Sequence, residues 1–388
     1  MRCKLSEIAL VSAGQGAPQG DSNYCESGTP FVKAGNLQEL SNGASIDAIQ
    51  KVSNEVAATH GLKLQRKGSV LFAKSGMSCL KGYVYVLPED AYIVSHLACV
   101  TPMGVDSDYL CYYFRFHRPN KLVKDAAYPS ISLADIGCLE IEIPEGNEVT
   151  QIVDALKRVE SIINLHCQQL TVLDTLIKAR FVELFGDTIF NESELPAMQL
   201  AEMADIVSGI TKGRKTKETD LREVPYMAVS NVKSGYIDWT TVKTIMATPS
   251  EIEQYRLQPD DVLMTEGGDP DKVGRGAIIR KPLENCIHQN HIFRVRLNEE
   301  VILPVYFAEY LQHSKAKDYF LGCAKQTTGI ASINMKQLRA LPVLVPPIEL
   351  QTQFATFVAQ IYKSKAVVQK ALDEAQTLFD SLMQQYFG

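Results

Sequence analysis

The sequence predicts an α+β protein written twice: a globular front of mixed strands and helices followed by one long helix, then the same plan again as a pseudo-two-fold repeat. Three observations carry that reading. The chain matches itself at a nearly constant offset, its fronts are short apolar runs broken by Gly, Pro and Asn, and its tails place apolar residues three and four positions apart. A length of 388 residues suits two domains. The composition, 46% hydrophobic and 22% charged, is that of a folded chain and excludes collagen-like and wholly disordered classes.

Taken in order, the first front opens with Leu5, Glu7, Ala9 and Gly14, which fall on Leu200, Glu202, Ala204 and Gly209 at an offset of 195. Phe31, Val32 and Asn36 fall on Tyr226, Met227 and Asn231. Val70 and Leu71 match Val262 and Leu263, and Ile93 and His96 match Ile287 and His291 after small shifts of register. From Ser130 the offset becomes 202 and holds to the end, so Ile131, Leu139, Pro144, Phe185 and Gly186 fall on Ile333, Leu341, Pro346, Phe387 and Gly388. The chain therefore divides into a front at 1–144, a helix at 145–186, a second front at 187–346 and a second helix at 347–388. Such a period is too long for a solenoid and reads as duplication of a domain. Within the fronts, Ser69 to Ala73, Tyr83 to Leu87, Ala277 to Arg280 and His291 to Val295 read as strands, and Asp108 to Phe116 and Pro304 to Gln312 as one helix per unit.

The tails hold a heptad seam through Ile152, Leu156, Ile163, Leu170, Leu173 and Ile177, and through Phe354, Val358, Ile361, Leu372 and Phe379. Each is entered from proline, at Pro144 and at Pro346 and Pro347, and the first stops at Gly186. A helix of this length runs about 55 Å. Its single apolar stripe needs cover, and the other tail has the same length, so the two are expected to pair. Tails that keep their length while the fronts diverge suit a ruler between two readers; the plainer alternative is a pair of helices that only joins two domains.

Chemistry of its own is not expected. No G-x-x-x-x-G-K-[ST] loop, dinucleotide fingerprint, Asn- or Asp-Pro-Pro-aromatic motif or H-E-x-x-H pair occurs, so no catalytic, cofactor or metal site is predicted. Nine scattered cysteines, none in C-x-x-C, argue against a disulfide framework or zinc site and for a reducing cytoplasm. The sequence holds no apolar run long enough to cross a bilayer and no secretory segment near Met1, so a soluble, untargeted chain with no membrane partner is expected. A net charge of −6 weakens the case for a free-standing nucleic-acid binder without excluding one, because phosphate attraction is local.

The fronts do carry matched polar and basic loops. Lys33, Gly35 and Asn36 correspond to Ala228, Ser230 and Asn231; Lys74, Ser75 and Gly76 correspond approximately to Glu266, Gly267 and Gly268; and the stretch Lys124, Asp125, Tyr128, Pro129 and Ser130 corresponds in place to Lys325, Gln326, Thr327, Thr328, Gly329 and Ser332. Lys212, Arg214 and Lys215 form a basic cluster without a counterpart in the first front. Lysine and arginine beside glycine offer charge and backbone amides to phosphate, and Lys, Gln, Asn and Ser are hydrogen-bonding partners of base edges. Solvated loops are the alternative. Asn290 is a candidate to face DNA, whereas the matched His96 and His291 read as buried or capping histidines.

The run Leu5-Ser6-Glu7-Ile8-Ala9, then Ser130-Ile131-Ser132-Leu133 through Leu139-Glu140-Ile141-Glu142-Ile143-Pro144, then a long helix ending Phe185-Gly186, resembles one half of the specificity subunit of type I restriction-modification systems. Leu200-Ala201-Glu202-Met203-Ala204, Ser332-Ile333-Asn334-Met335, Leu341 to Pro347 and Phe387-Gly388 repeat it. The resemblance implies two α/β target-recognition domains separated by a long antiparallel two-helix coiled coil. It implies a non-catalytic subunit that binds double-stranded DNA at a split, asymmetric site. Its partners would be two methyltransferase (modification) subunits, with or without two restriction/translocase subunits, which would hold S-adenosylmethionine, ATP and Mg. A specificity subunit of a type II-like enzyme, a protein-interaction scaffold and a catalytic methyltransferase or nuclease are the competing readings, the last lacking its constellation of residues.

Overall fold

A computed structural model describes residues 1–186, 191, 194–215, 219–268, 272–327 and 330–388, without the side chains of 326, 327 and 330. The chain divides into two compact units, Met1–Cys167 with Lys370–Gly388, and Gln168–Gln369. Each unit thus contains a front and part of both long helices.

The first unit has strands β1 (Arg2–Lys4), β2 (Ala9–Ala13), β3 (Thr29–Val32), β4 (Lys51–Val52), β5 (Val70–Ala73), β6 (Val84–Val86), β7 (Tyr92–Ile93), β8 (Leu97–Pro102) and β9 (Glu140–Glu142). They form an antiparallel sheet β2-β8-β5-β6, a mixed sheet β4-β3-β7 in which β3 and β7 are parallel, and the pair β1-β9. All four residues of β5 are buried, which is why Val70–Ala73 reads as an unbroken apolar run rather than an alternating one. The helix Ser107–His117 begins at Asp106, whose carboxylate accepts from the N–H groups of Asp108 (2.8 Å) and Tyr109 (3.0 Å). Tyr109 and Tyr113, four apart on one helical face, donate their hydroxyls to the Glu142 and Glu140 carbonyls at 2.8 and 3.0 Å and tie the helix to β9.

The second unit repeats this plan with β10 (Ala197–Gln199), β11 (Ala204–Ser208), β12 (Arg222–Met227), β13 (Lys243–Ala247), β14 (Val262–Thr265), β15 (Gly267–Gly268), β16 (Gly276–Ile278), β17 (Ile287–His288), β18 (Ile292–Leu297), β19 (Lys325–Thr327), β20 (Ile330–Ser332) and β21 (Pro342–Leu344). The sheets β11-β18-β14-β16, β13-β12-β17 and β10-β21 match those of the first unit, and β15-β20-β19 is an addition. Tyr306 and Tyr310, on the helix Pro304–Tyr310, donate to the Leu344 and Pro342 carbonyls at 2.8 and 3.0 Å, the same latch as in the first unit. A further helix, Ser314–Cys323, follows where the sequence predicts only one; it buries Ala316 and Phe320 at an i, i+4 spacing.

Strand register corrects one alignment. Val32 pairs with Ile93 and Met227 with His288, so the counterpart of Ile93 is His288 rather than Ile287. The repeated glycine has a steric cause. A Cβ on Gly14 would collide with the Ile93 carbonyl and one on Gly209 with the His288 carbonyl.

The long helices span Glu148–Phe185 and Ile348–Phe387. The seam lies where the heptads place it. In the first unit Ile152 and Leu156 are buried and Ile163 half-buried in one core with Phe379, Met383 and Phe387, and Leu372 is half-buried. In the second unit Ile177, Phe354, Val358 and Ile361 are buried and Leu170 and Leu173 half-buried. There Asp174 meets Lys365 at 2.7 Å and the Phe181 ring lies 5.5 Å from Phe354, so one helix advances as the other retreats: the pairing is antiparallel. Phe181, Phe185, Met383 and Phe387 are buried off the seam, because the ends of the helices present a second face to the fronts. Among the described residues no helix is long and apolar enough to cross a membrane.

Candidate nucleic-acid interface

Topology brings four strand ends to one place in each unit. In the first unit β2 and β5 run antiparallel to β8 and so end where β8 begins; β3 runs parallel to β7 and ends where β7 ends; and Val94–His96 joins β7 to β8. The backbone locks the corner: Val94, Ser95 and Lys74 donate to the carbonyls of Val32 (3.0 Å), Gln15 (2.7 Å) and His96 (2.9 Å), and Ile131 donates to Lys74 (2.7 Å). The second unit makes the same four bonds from Gln289 to Met227 (3.0 Å), Asn290 to Ile210 (3.0 Å), Glu266 to His291 (3.0 Å) and Ile333 to Glu266 (2.9 Å). One backbone frame thus carries two different sets of side chains.

In the first unit the corner unites Lys74, Ser75 and Ser130, the two serines facing each other across an antiparallel bridge. Ser75 Oγ lies 2.8 Å from His96 Nδ1. Gly76 donates to the Pro129 carbonyl at 3.0 Å, holding the neighbouring Tyr128 out to solvent at 82% exposure. Lys124 is ion-paired with Asp135 at 3.2 Å; bonds from Ser132 and then Lys124 hold that carboxyl below its usual range. Lys33, at the end of β3, lies 4.3 Å above the Tyr24 ring and donates to Gln50 Oε1 at 2.6 Å. Asn36 turns its amide oxygen inward to the Lys33 N–H (2.8 Å), so half of its bonding capacity belongs to the turn.

In the second unit two candidates change role. Asn231 is fully buried, its amide oxygen on the Ala228 N–H (2.9 Å) and its amide nitrogen on the Asp238 carbonyl (2.9 Å), so it stabilises a turn and faces no ligand. Arg214 forms a bidentate ion pair with Glu251, whose carboxyl it holds below the usual range, and reaches the Met246 carbonyl at 3.3 Å. Its guanidinium therefore braces the helix Pro249–Tyr255, while Lys212 and Lys215 beside it are exposed. Ser230 is exposed. Lys325 is exposed opposite Ser332, on the sheet that β15 joins to the corner; the side chains of Gln326 and Thr327 lie outside the described residues.

The sequence suggests buried or capping roles for the matched histidines, and the structure puts both at the exposed corner. Their exposure follows from the turn between the two sheets, which the strand ends leave uncovered. His291 Nδ1 meets Glu266 Oε2 at 2.5 Å, and Asn290 Nδ2 lies 3.5 Å from His291 Nε2. Glu266 and His291 are the site residues that a reading for cations and amides passes over; the internal repeat, which sets Glu266 against Lys74, is the signal for them. Among the described residues no group of three or more His, Cys, Asp or Glu is placed to hold a metal ion.

Residues 1–175 and 192–376 match the family described as the type I restriction modification DNA specificity domain. The chain belongs to this family. It is similar to the type I restriction enzyme EcoKI specificity subunit of Escherichia coli (strain K12), at 25% identity over 41% of this chain and 35% of that protein. It is also similar to a candidate type I restriction enzyme MjaX specificity subunit of Methanocaldococcus jannaschii, at 26% identity over 53% of this chain and 50% of that protein. The matched stretches thus span half or less of these relatives. The fold is that of the type I restriction-modification system S subunit from M. genitalium, with a TM-score of 0.58, 14% identity, and coverage of 100% of this chain and 96% of that one. The two strand-end corners therefore sit on two DNA specificity domains, and the second carries a carboxylate where the first carries a lysine.

Proposed function

We propose that the chain is the DNA specificity subunit of a type I restriction-modification complex, each unit reading one half of a bipartite, asymmetric site in double-stranded DNA. The observation that carries this reading is the pair of matched corners, one backbone frame furnished with Lys74, Ser75 and His96 in one unit and Glu266, Gly267 and His291 in the other. Identical frames place contacts alike; different side chains read different bases. In this reading the chain supplies no chemistry. Modification subunits, two in the proposed complex, act on the DNA it selects, with or without two restriction/translocase subunits. S-adenosylmethionine, ATP and Mg belong to those partners, and the complex works in the cytoplasm against foreign DNA. The overall negative charge is compatible with this, since phosphate contacts are local and shared with partners.

The test is to map adenine methylation in cells that express the chain together with its modification subunit. A split, non-palindromic motif that disappears without this chain is expected. A palindromic motif, or methylation that does not depend on the chain, would count against the reading.

A further inference from the structure

At the matched strand ends the two units carry opposite charges. Lys74 and Glu266 are equivalent by their backbone bonds: each donates to the carbonyl of the corner histidine and each accepts from the isoleucine after the paired serine. The side chains differ in kind. Glu266 Oε2 accepts from His291 Nδ1 at 2.5 Å, and the amide nitrogen of Asn290, which can only donate, lies 3.5 Å from His291 Nε2. The contact with His291 Nδ1 holds the Glu266 carboxylate at the corner, where its side chain stays partly exposed. A carboxylate at a nucleic-acid surface is repelled by every phosphate. Its favourable partners there are the exocyclic amines of cytosine and adenine, the donors of the major groove. A lysine at the same point is drawn to the acceptors of guanine, O6 and N7.

We infer that Glu266 and Lys74 are specificity-determining residues, Glu266 accepting from the exocyclic amine of a cytosine or adenine in one half-site and Lys74 donating to a guanine in the other. The inference rests on the reading of the chain as a DNA specificity subunit. It assigns a base class to each unit from a single matched position.

The experiment is selection of duplexes from a random library by the full chain in complex with its modification subunits, at one salt concentration. Glu266→Gln is expected to lose about tenfold in discrimination at one cytosine or adenine of one half-site, leaving the other half-site unchanged. Glu266→Lys is expected to move that position to guanine, and Lys74→Glu to move a guanine of the other half-site to an amino-bearing base. Thermal melting of Glu266→Gln, a near-isosteric change at a partly exposed side chain, should match the parent. Unchanged preference at every position would overturn the inference while leaving the split motif intact. So would a uniform gain in affinity for all sequences, which would make the carboxylate a phosphate repellent only. If the parent complex selects no split motif, the functional reading falls and takes this inference with it.

Discussion

At the scale of the residue, the difference between Ile93 and His288 sets a pH dependence. His288 is fully buried, with Nδ1 3.1 Å from the Tyr255 carbonyl and Nε2 3.3 Å from that of Val207. Burial lowers its pKa to about 4, against the smaller favourable effect of those carbonyls. A folded pKa below the unfolded value of about 6.5 means that the unfolded chain takes up the proton first. Stability is therefore whole above pH 6.5 and falls as the pH drops towards 4, by on the order of 3 kcal/mol from this group. His288→Ile, which installs the residue of the first unit, should flatten the acid limb of a plot of Tm against pH; an unaltered limb would sink the assignment. The basic loop separates in the same way. Replacing Lys212 and Lys215 should flatten the salt dependence of DNA binding by about 1 in log–log slope per lost contact. Arg214→Ala should instead lower Tm, because it leaves Glu251 without its partner. A large change of salt slope in Arg214→Ala alone would reverse these roles.

At the scale of the element, the heptads located both long helices, and the burial of Ile152, Leu156, Phe354 and Val358 follows directly from them. Periodicity could not show that Phe181 meets Tyr306 and His313 of the front as well as Phe354 of the other helix, since a heptad describes contact with one helix. The register from Asp174 against Lys365 sets Leu170 near Val368. Inserting one heptad beside each of these positions keeps the seam in phase and lengthens the pair by about 10 Å. Under the proposed function the unread gap should grow by about three base pairs while both half-sites stay the same. A footprint with an unchanged gap would remove the helices from that role.

At the scale of the whole molecule, duplication is the organising fact. Both tyrosine latches, both glycine approaches and both four-bond corners recur because each unit solves the same packing problem. Between these fixed points the units differ. Asp261 is buried in a bidentate pair with Arg296 (2.8 and 2.9 Å) in the second unit, where the first has Ser69 bonded to Thr101 at 2.8 Å. An ionic layer in one unit and a neutral one in the other fill the same space. The shared frame is thus independent of the chemistry placed on it, which is what the proposed function requires of two units that read different half-sites.

The sequence by itself determined the twofold plan, the two long helices and their apolar seams, since these are periodic properties of a chain and repeat wherever it repeats. It also located the loops that meet at each corner. Only the tertiary structure decided which of their side chains remain available. Asn231 and Arg214 are as polar in sequence as Lys74 and Lys212, but their hydrogen bonds are taken up by a turn and by Glu251. The matched histidines emerged at the surface, and His288, one residue from the expected register, went inside. The physical reason is tertiary cover: β17 is enclosed on both faces, so Ile287 and His288 are buried alike, whereas His96 and His291 stand in the turn between two sheets that the strand ends leave open.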